Sequence, residues 1–194
     1  QPLGTTAGNT IDGPPSVLVT DEFDNTVSGI EVTVRESGGA GFDAGNLTVA
    51  TDPSGVALFD DLQINTAGTY TLIFDAVGAE LDATSDPFNV TAASGDAGST
   101  VASVPPGTAG QATEITVTVE DIYGNRVEGV QGDLNISVTA GPNTGAIVST
   151  IVNQGNGIYT ASYTPTETGT DEITVTLSTV ALTSGPVTSK VSAG

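Results

Sequence analysis

Apolar and polar residues alternate at period two along most of the chain, the pattern of strands with one buried face. In "ITVTVED" Ile115, Val117 and Val119 fall on one face and Thr116, Thr118 and Glu120 on the other. "DEITVTL" separates Ile173, Val175 and Leu177 from the polar residues between them, and "YTASY" groups Tyr159, Ala161 and Tyr163. With "TVASV", "LNISVT", "AIVSTIV" and "PVTSKV" these stretches predict seven strands in residues 94–194. Turn signals separate them at roughly 8–12 residues, the spacing of a Greek-key β-sandwich.

The first half repeats the second. "DEFDNTVSGI" begins at Asp21 and "DIYGNRVEGV" at Asp121, one hundred residues later. A period of that length corresponds to one small domain, not to a solenoid turn. "VLVTD" corresponds to "VTVED", "IEVTVRE" to the "NISVT" region, "GVALFDD" to "GIYTASY", "YTLIFDA" to "DEITVTL", and "FNVTA" to the final strand. "DPSG" (Asp52 to Gly55) fits a type I turn, and "NQGNG" (Asn153 to Gly157) fills its place in the second copy. The polar stretch "SGDAGS" (Ser94 to Ser99) reads as a short linker, giving domains at 1–93 and 94–194. "PLGTTAG" (Pro2 to Gly8) lines up with "PPGTAG" (Pro105 to Gly110), which the strand "TVASV" precedes in the second copy. The first domain is therefore expected to lack its first strand and to expose an unpaired edge. Gln1 at the start and the absence of Met suggest a piece of something longer or a processed product.

"GIYTASYTPTETG", then a strand, then "SGPVTSKV" resembles filamin-type immunoglobulin repeats, whose signature runs Gly-x-Tyr-x-x-x-Tyr-x-Pro, then Gly, then a strand, then a Ser-Pro-rich approach to the last strand. "GDLNISV" after "DIYGNRV" fits the same pattern. The first copy keeps "SDPFNV" but lacks both tyrosines and the Pro, and is also similar to the invasin and intimin class of bacterial immunoglobulin-like repeats. The resemblance implies an all-β chain of two tandem immunoglobulin-like Greek-key sandwiches. Tyr70, just after a Gly turn, resembles the tyrosine corner of such folds, whose phenol bonds back to nearby backbone. Asp171 holds that place in the second copy, so its corner must be fastened differently.

Charge narrows the function. Twenty-three acidic residues against three basic ones (Arg35, Arg126, Lys190) give a net charge of −20, which opposes binding to nucleic acid or to an anionic membrane surface. No apolar run is long enough to span a bilayer. Without His or Cys there is no Ser-His-Asp or Cys-His arrangement and no ordinary zinc site. No Gly-rich loop joins a strand to a helix, and without Trp a sugar cleft has little to build on.

The repeated ten-residue stretches read as scaffold. Asp21 and Asp121 accept backbone N–H bonds at a strand end, Asn25 and Asn125 adopt the left-handed conformation of the turn, and Phe23 and Tyr123 plug the sandwich end. Tyr159 and Tyr163, grouped on one strand face, are structural candidates as well. The competing reading is calcium, held by Asp21 and Asp24, or by Asp96 in the linker. Gly124 replaces Asp24 in the second copy, so a site there would not be shared. Asp60 and Asp61 form a solvated acidic pair. No other cofactor is expected.

The expected role is a non-enzymatic stalk or spacer of a bacterial cell-surface or secreted protein, an adhesin or an appendage. Its partners are neighbouring immunoglobulin-like repeats or copies of itself, with β-augmentation by a protein partner at an exposed edge. The alternatives are an accessory module of a secreted polysaccharide-degrading enzyme and a strand-exchanging subunit of an extracellular filament. Uncompensated charge sets a test. Like charges repel within the folded chain, and salt screens them over a Debye length of about 8 Å at physiological ionic strength. Thermal melts should therefore shift upward between low and high salt, or on adding divalent cations; an unchanged or falling midpoint contradicts this.

Overall fold

Thr and β-branched residues at alternate positions, with Pro confined to connections and Gly to connections and strand ends, leave no stretch that favours a helix. In the computed structural model residues 1–78 and 82–194 are described, and every regular element among them is a strand. The chain divides into two units, Gln1–Ala92 and Ala93–Gly194.

The first unit contains β1 (Thr5–Thr6), β2 (Ser16–Leu18), β3 (Glu31–Glu36), β4 (Thr48–Ala50), β5 (Val56–Leu58), β6 (Gly68–Tyr70), β7 (Leu72–Ala76), β8 (Ala83–Thr84) and β9 (Phe88–Thr91). β1 runs parallel to β9, whose other neighbour is β6; β4, β3, β7 and β8 form an antiparallel sheet in that order; β2 pairs with β5. Val32, Val34, Phe59, Leu62, Ile64, Leu72 and Phe74 are buried, with the Phe59 and Phe74 rings 5.4 Å apart.

The second unit contains β10 (Val101–Ser103), β11 (Gly107–Thr108), β12 (Thr113–Thr118), β13 (Leu134–Ala140), β14 (Val152–Gly155), β15 (Ile158–Tyr163), β16 (Gly169–Leu177), β17 (Val180–Ala181) and β18 (Val187–Ser192). One sheet runs β10-β12-β15-β14; the other runs β11-β18-β16-β13, with β17 against β16. The alternation read from the sequence is the burial pattern found: Ile115, Val117, Val119, Tyr159, Tyr163 and Ile173 are almost wholly enclosed between the sheets. Each such side chain contributes roughly 1.5–3 kcal/mol of burial.

Two connections depart from the sequence reading. "AIVSTIV" is not a continuous strand: Ile147 is 90% exposed, Val148 meets Tyr163 of β15 in an isolated bridge, the Ser149 N–H bonds the Ser162 carbonyl, and the regular ladder with β15 starts at Val152, opposite Thr160. The chain turns back at Gly141, and the Gly145 N–H bonds the Val138 carbonyl, so residues 141–145 go into a turn. The short strands β4, β8 and β17 were not foreseen. β4 pairs with β3, whereas β14 joins the opposite sheet beside β15, so the two units route the same connection differently.

The stretches around Thr5 and Gly107 make the same bonds. Thr5 and Thr6 pair in parallel with Val90 and Thr91 as Gly107 and Thr108 do with Val191 and Ser192. The second strands differ in cover. β12 lies between β10 and β15, while among the described residues β2 pairs with β5 alone. Val117 and Val119 are fully buried; their counterparts Val17 and Val19 are half-buried.

Candidate functional site

The repeated ten-residue stretch folds as a clasp around one carboxylate. Asp121 Oδ1 accepts the N–H groups of Tyr123 (2.9 Å) and Asn125 (2.8 Å), and Oδ2 accepts Asn125 Nδ2 and the Ala93 N–H, both at 2.8 Å. The Asp121 N–H donates to the Asn125 carbonyl at 2.9 Å. A short carboxylate with four donors is the arrangement that closes a tight loop at a strand end. Asp21 repeats it with Phe23 N–H, Asn25 N–H and Asn25 Nδ2, but without a counterpart of the Ala93 donor among the described bonds. Asp121 is buried and Asp21 is exposed.

Two details of the expected clasp are corrected. The left-handed residue is the fourth, Gly124 (φ 84°) or Asp24 (φ 62°): it follows the turn closed by its own N–H on the Asp carbonyl, and its positive φ brings the next carbonyl, of Asn125 or Asn25, back to the Asp N–H. The Asn residues bond through their side-chain amides instead. Phe23 (74% exposed) and Tyr123 (44%) do not plug the sandwich end. Each sits between two N–H groups directed at the carboxylate, and its side chain is left facing outward.

The bonds set the charge state. Burial of Asp121 favours its protonated form, but the Asn125 side chain and the N–H groups of Asn125, Ala93 and Tyr123 together outweigh that, and the carboxyl titrates below its ordinary 3.8. Asp21 is lowered by the Asn25 side chain and by the Asn25 and Phe23 N–H groups. Asp52, in the "DPSG" turn, is lowered by the Ser54 hydroxyl and the Val56 N–H.

Behind the clasp, the two units fix the next loop with different side chains. In the second unit the Tyr159 hydroxyl donates to the Val127 carbonyl (3.0 Å) and accepts the Val130 N–H (3.2 Å). The first unit has Ala57 in place of that tyrosine. There the Thr51 hydroxyl donates to the Val27 carbonyl (2.8 Å) and accepts the Ile30 N–H (3.0 Å). Sequence reading missed Thr51, which comes from a different part of the chain. The tyrosine corner is present in the first unit, with the Tyr70 hydroxyl donating to the Thr66 carbonyl at 2.8 Å.

In the second unit Asp171 takes that place within a buried network. Its Oδ1 accepts the Asn143 N–H (3.0 Å), and its Oδ2 accepts Asn143 Nδ2 (2.9 Å) and the Tyr163 hydroxyl (3.1 Å). Asn143 Oδ1 in turn accepts the Thr166 and Glu167 N–H groups. Burial pushes the Tyr163 phenol above 10; the Ser189 hydroxyl works in the opposite sense, and the Asp171 carboxylate adds to the rise. Asn143 carried no signal of its own in the sequence.

These groups hold backbone. Each carboxylate at the clasps and at the Asp171 corner is occupied by N–H, amide or phenol donors. Asp96 Oδ2 accepts the Ser99 N–H at 2.7 Å, and the Asp96 N–H bonds the Glu120 carbonyl. The expected linker is therefore fastened to the second unit at Asp96 and, through Ala93, at Asp121. Asp61 accepts the N–H and side-chain amide of Asn46, so the Asp60–Asp61 pair is partly engaged. Among the described residues no three acidic side chains converge in a way that holds a metal ion.

The all-β sandwich topology of the second unit is that of an immunoglobulin-like repeat. Residues 85–188 match the Filamin/ABP280 repeat, and the chain belongs to that family. Three solved structures share the fold. FdeC, an Escherichia coli adhesin, is 23% identical with a TM-score of 0.65 over 98% of this chain and 60% of that one. InvD of Yersinia pseudotuberculosis is 22% identical with a TM-score of 0.59 over 98% of this chain and 55% of that one. Invasin, a bacterial integrin-binding protein, is 22% identical with a TM-score of 0.52 over 100% of this chain and 38% of that one. This chain thus spans only part of each. No curated protein sequence matches it.

Removing the clasp should destabilise the second unit in a pH-dependent way. Asp121→Ala leaves buried N–H donors unpaired and should cost about 2 kcal/mol near neutral pH. Because the folded pKa is depressed, the contribution is present above the unfolded value and is lost as pH falls through the folded one. Urea titrations followed by tyrosine emission should show the gap between wild type and variant narrowing as pH drops below 3.8. A gap independent of pH contradicts the assignment.

Proposed function

We propose that the chain is a load-bearing spacer of a bacterial surface or secreted protein, joined to further repeats of its kind and performing no catalysis. The observation that carries this reading is the parallel pairing in each unit of a short early strand with the unit's last strand, β1 with β9 and β11 with β18. In a parallel pair the incoming and outgoing chain leave in opposite directions. Tension on the two ends then loads all the bonds between the pair together, in shear, instead of opening them one at a time. The Ala7 N–H to Thr91 carbonyl bond (2.8 Å) and the Ala109 N–H to Ser192 carbonyl bond (2.9 Å) extend the pairs by one step each.

Membership of the filamin repeat family and the adhesin fold of the neighbours support the reading. The high negative charge, with two of three basic side chains engaged by acidic partners, limits self-association. The alternatives from the sequence draw no comparable support: exposed aromatics are few and scattered, which disfavours a sugar-binding platform.

Stretching the full chain from its two ends in a force spectrometer tests the proposal. Two unfolding events are expected, each releasing roughly 30 nm of chain. Ala109→Pro, which removes one N–H from the parallel pair, should lower the force of one event far more than it lowers that unit's melting temperature. Unfolding without resolvable force peaks, or equal effects of the substitution on force and on melting, contradicts load bearing through this pair.

A further inference from the structure

The β14–β15 hairpin turns through Asn156 (φ 52°) and Gly157 (φ 67°), both left-handed. A turn of this kind follows the twist of its strands and favours Asn followed by Gly. No other Asn in the chain is followed by Gly. Packing fixes the second residue as well. The Gly157 carbonyl accepts the Val119 N–H at 2.8 Å. A Cβ on Gly157 would lie 2.9 Å from the Val119 carbonyl oxygen and 3.0 Å from the Arg126 Cβ, so only glycine fits.

The first unit fills the same place with Ser54 and Gly55. The Gly55 carbonyl accepts the Val19 N–H at 2.9 Å, and a Cβ on Gly55 would lie 2.9 Å from the Val19 carbonyl oxygen. The residue before that glycine carries a hydroxyl, which donates to Asp52 at 2.6 Å. The two units therefore share the enclosed glycine and differ in the side chain that precedes it.

Asn156 is set apart from the other asparagines. The side-chain amides of Asn25, Asn46, Asn125 and Asn143 donate to carboxylates. The Asn156 side chain is exposed and has no partner among the described bonds, and neither has the Gly157 N–H. The Asn156 N–H is tied to the Glu128 carboxylate. Among the described residues β14 is bonded to β15 alone, and an edge hairpin of this kind opens at low cost.

We propose that Asn156 is a site of spontaneous deamidation in the folded protein, and that the change releases β14. When the hairpin tip opens, hydroxide takes the Gly157 amide proton. The Gly157 nitrogen then bonds to the side-chain carbonyl carbon of Asn156. The C–N bond of the side-chain amide breaks, and its nitrogen leaves as ammonia after taking a proton from water, which restores the hydroxide. The product is a cyclic succinimide. Water opens that ring at either carbonyl, giving aspartate or isoaspartate. The nitrogen approaches unhindered because the fold admits no side chain on Gly157. Both products place a new negative charge beside Glu128. Isoaspartate also lengthens the backbone by one carbon inside a turn held between the Asn153–Tyr159 and Gly155–Ile158 pairs. β14 then frays from β15, while β10, β12 and β15 stay paired. The proposal is independent of load bearing, which rests on the β1–β9 and β11–β18 pairs.

The test holds the full chain, folded, at a mildly alkaline pH at which a free peptide of residues 151–161 converts. Digestion and mass analysis locate the change, and methyl transfer from S-adenosylmethionine by an isoaspartyl methyltransferase counts isoaspartate. Asn156 should convert before any other asparagine, with isoaspartate the larger product and a rate proportional to hydroxide. In the converted chain the β14 amides should lose protection from hydrogen exchange while those of β12 keep it. Asn156→Ser, which copies the first unit, should lose the signal; the wild-type measurement stands whether or not that variant folds. A folded chain that stays intact while the peptide converts, conversion first at another asparagine, or a rate indifferent to pH overturns the proposal. So does a converted chain whose β14 remains protected.

Discussion

The Asp121 carboxylate ties two stretches of the second unit to the end of β12. Its four donors come from the turn after β12, from the side chain of Asn125 and from the chain that leads into β10. The clasp thereby fixes where β12 ends, how the following loop leaves, and where the covering strand begins. Backbone groups that reach a sandwich end need partners when water is excluded, and a carboxylate with several N–H donors meets that need strongly. The first unit keeps the same turn around Asp21, but its carboxylate is exposed and its second strand is bonded on one side among the described residues. The two units are one frame seen with and without the cover.

Elsewhere the frame is kept while its fastenings change. The Val27 and Val127 carbonyls, with the Ile30 and Val130 N–H groups, receive a hydroxyl in both units, from Thr51 in one and Tyr159 in the other. The corner before the long β16 strand is held by Asp171 with Asn143 and Tyr163, where the first unit uses a single phenol to a carbonyl. A buried backbone group requires a partner but does not dictate which residue supplies it. Gly38 shows the cost of one choice: a Cβ there would lie 2.5 Å from the Tyr70 ring, so the ring demands a glycine beneath it.

Period-two alternation is legible through most of the second unit, because its strands are long and each buries one face: Ile115, Val117 and Ile173 alternate in the sequence and are buried in the structure. Alternation overreached at "AIVSTIV", where only Val148 and Ser149 touch β15 before the regular ladder and Ile147 remains in solvent. The clasp was legible as a repeated Asp and Asn. Its left-handed position was not, since Gly124 and Asp24 differ in type and only the turn geometry identifies the fourth residue. Thr51 and Asn143 act on backbone distant in sequence, which no local pattern reveals.

If the cover of the second strand governs how firmly each sandwich is held, the two units differ in local stability although they share a fold. Val17 and Val19 sit half-buried where Val117 and Val119 are enclosed, and an edge left open lets backbone groups reach water by small openings. Native-state hydrogen exchange of the full chain measures this residue by residue. The account predicts that the amides of Val117 and Val119 exchange only through large openings, with clearly higher free energies than those of Val17 and Val19. Equal protection at the two pairs, or greater protection at Val17 and Val19, would contradict it.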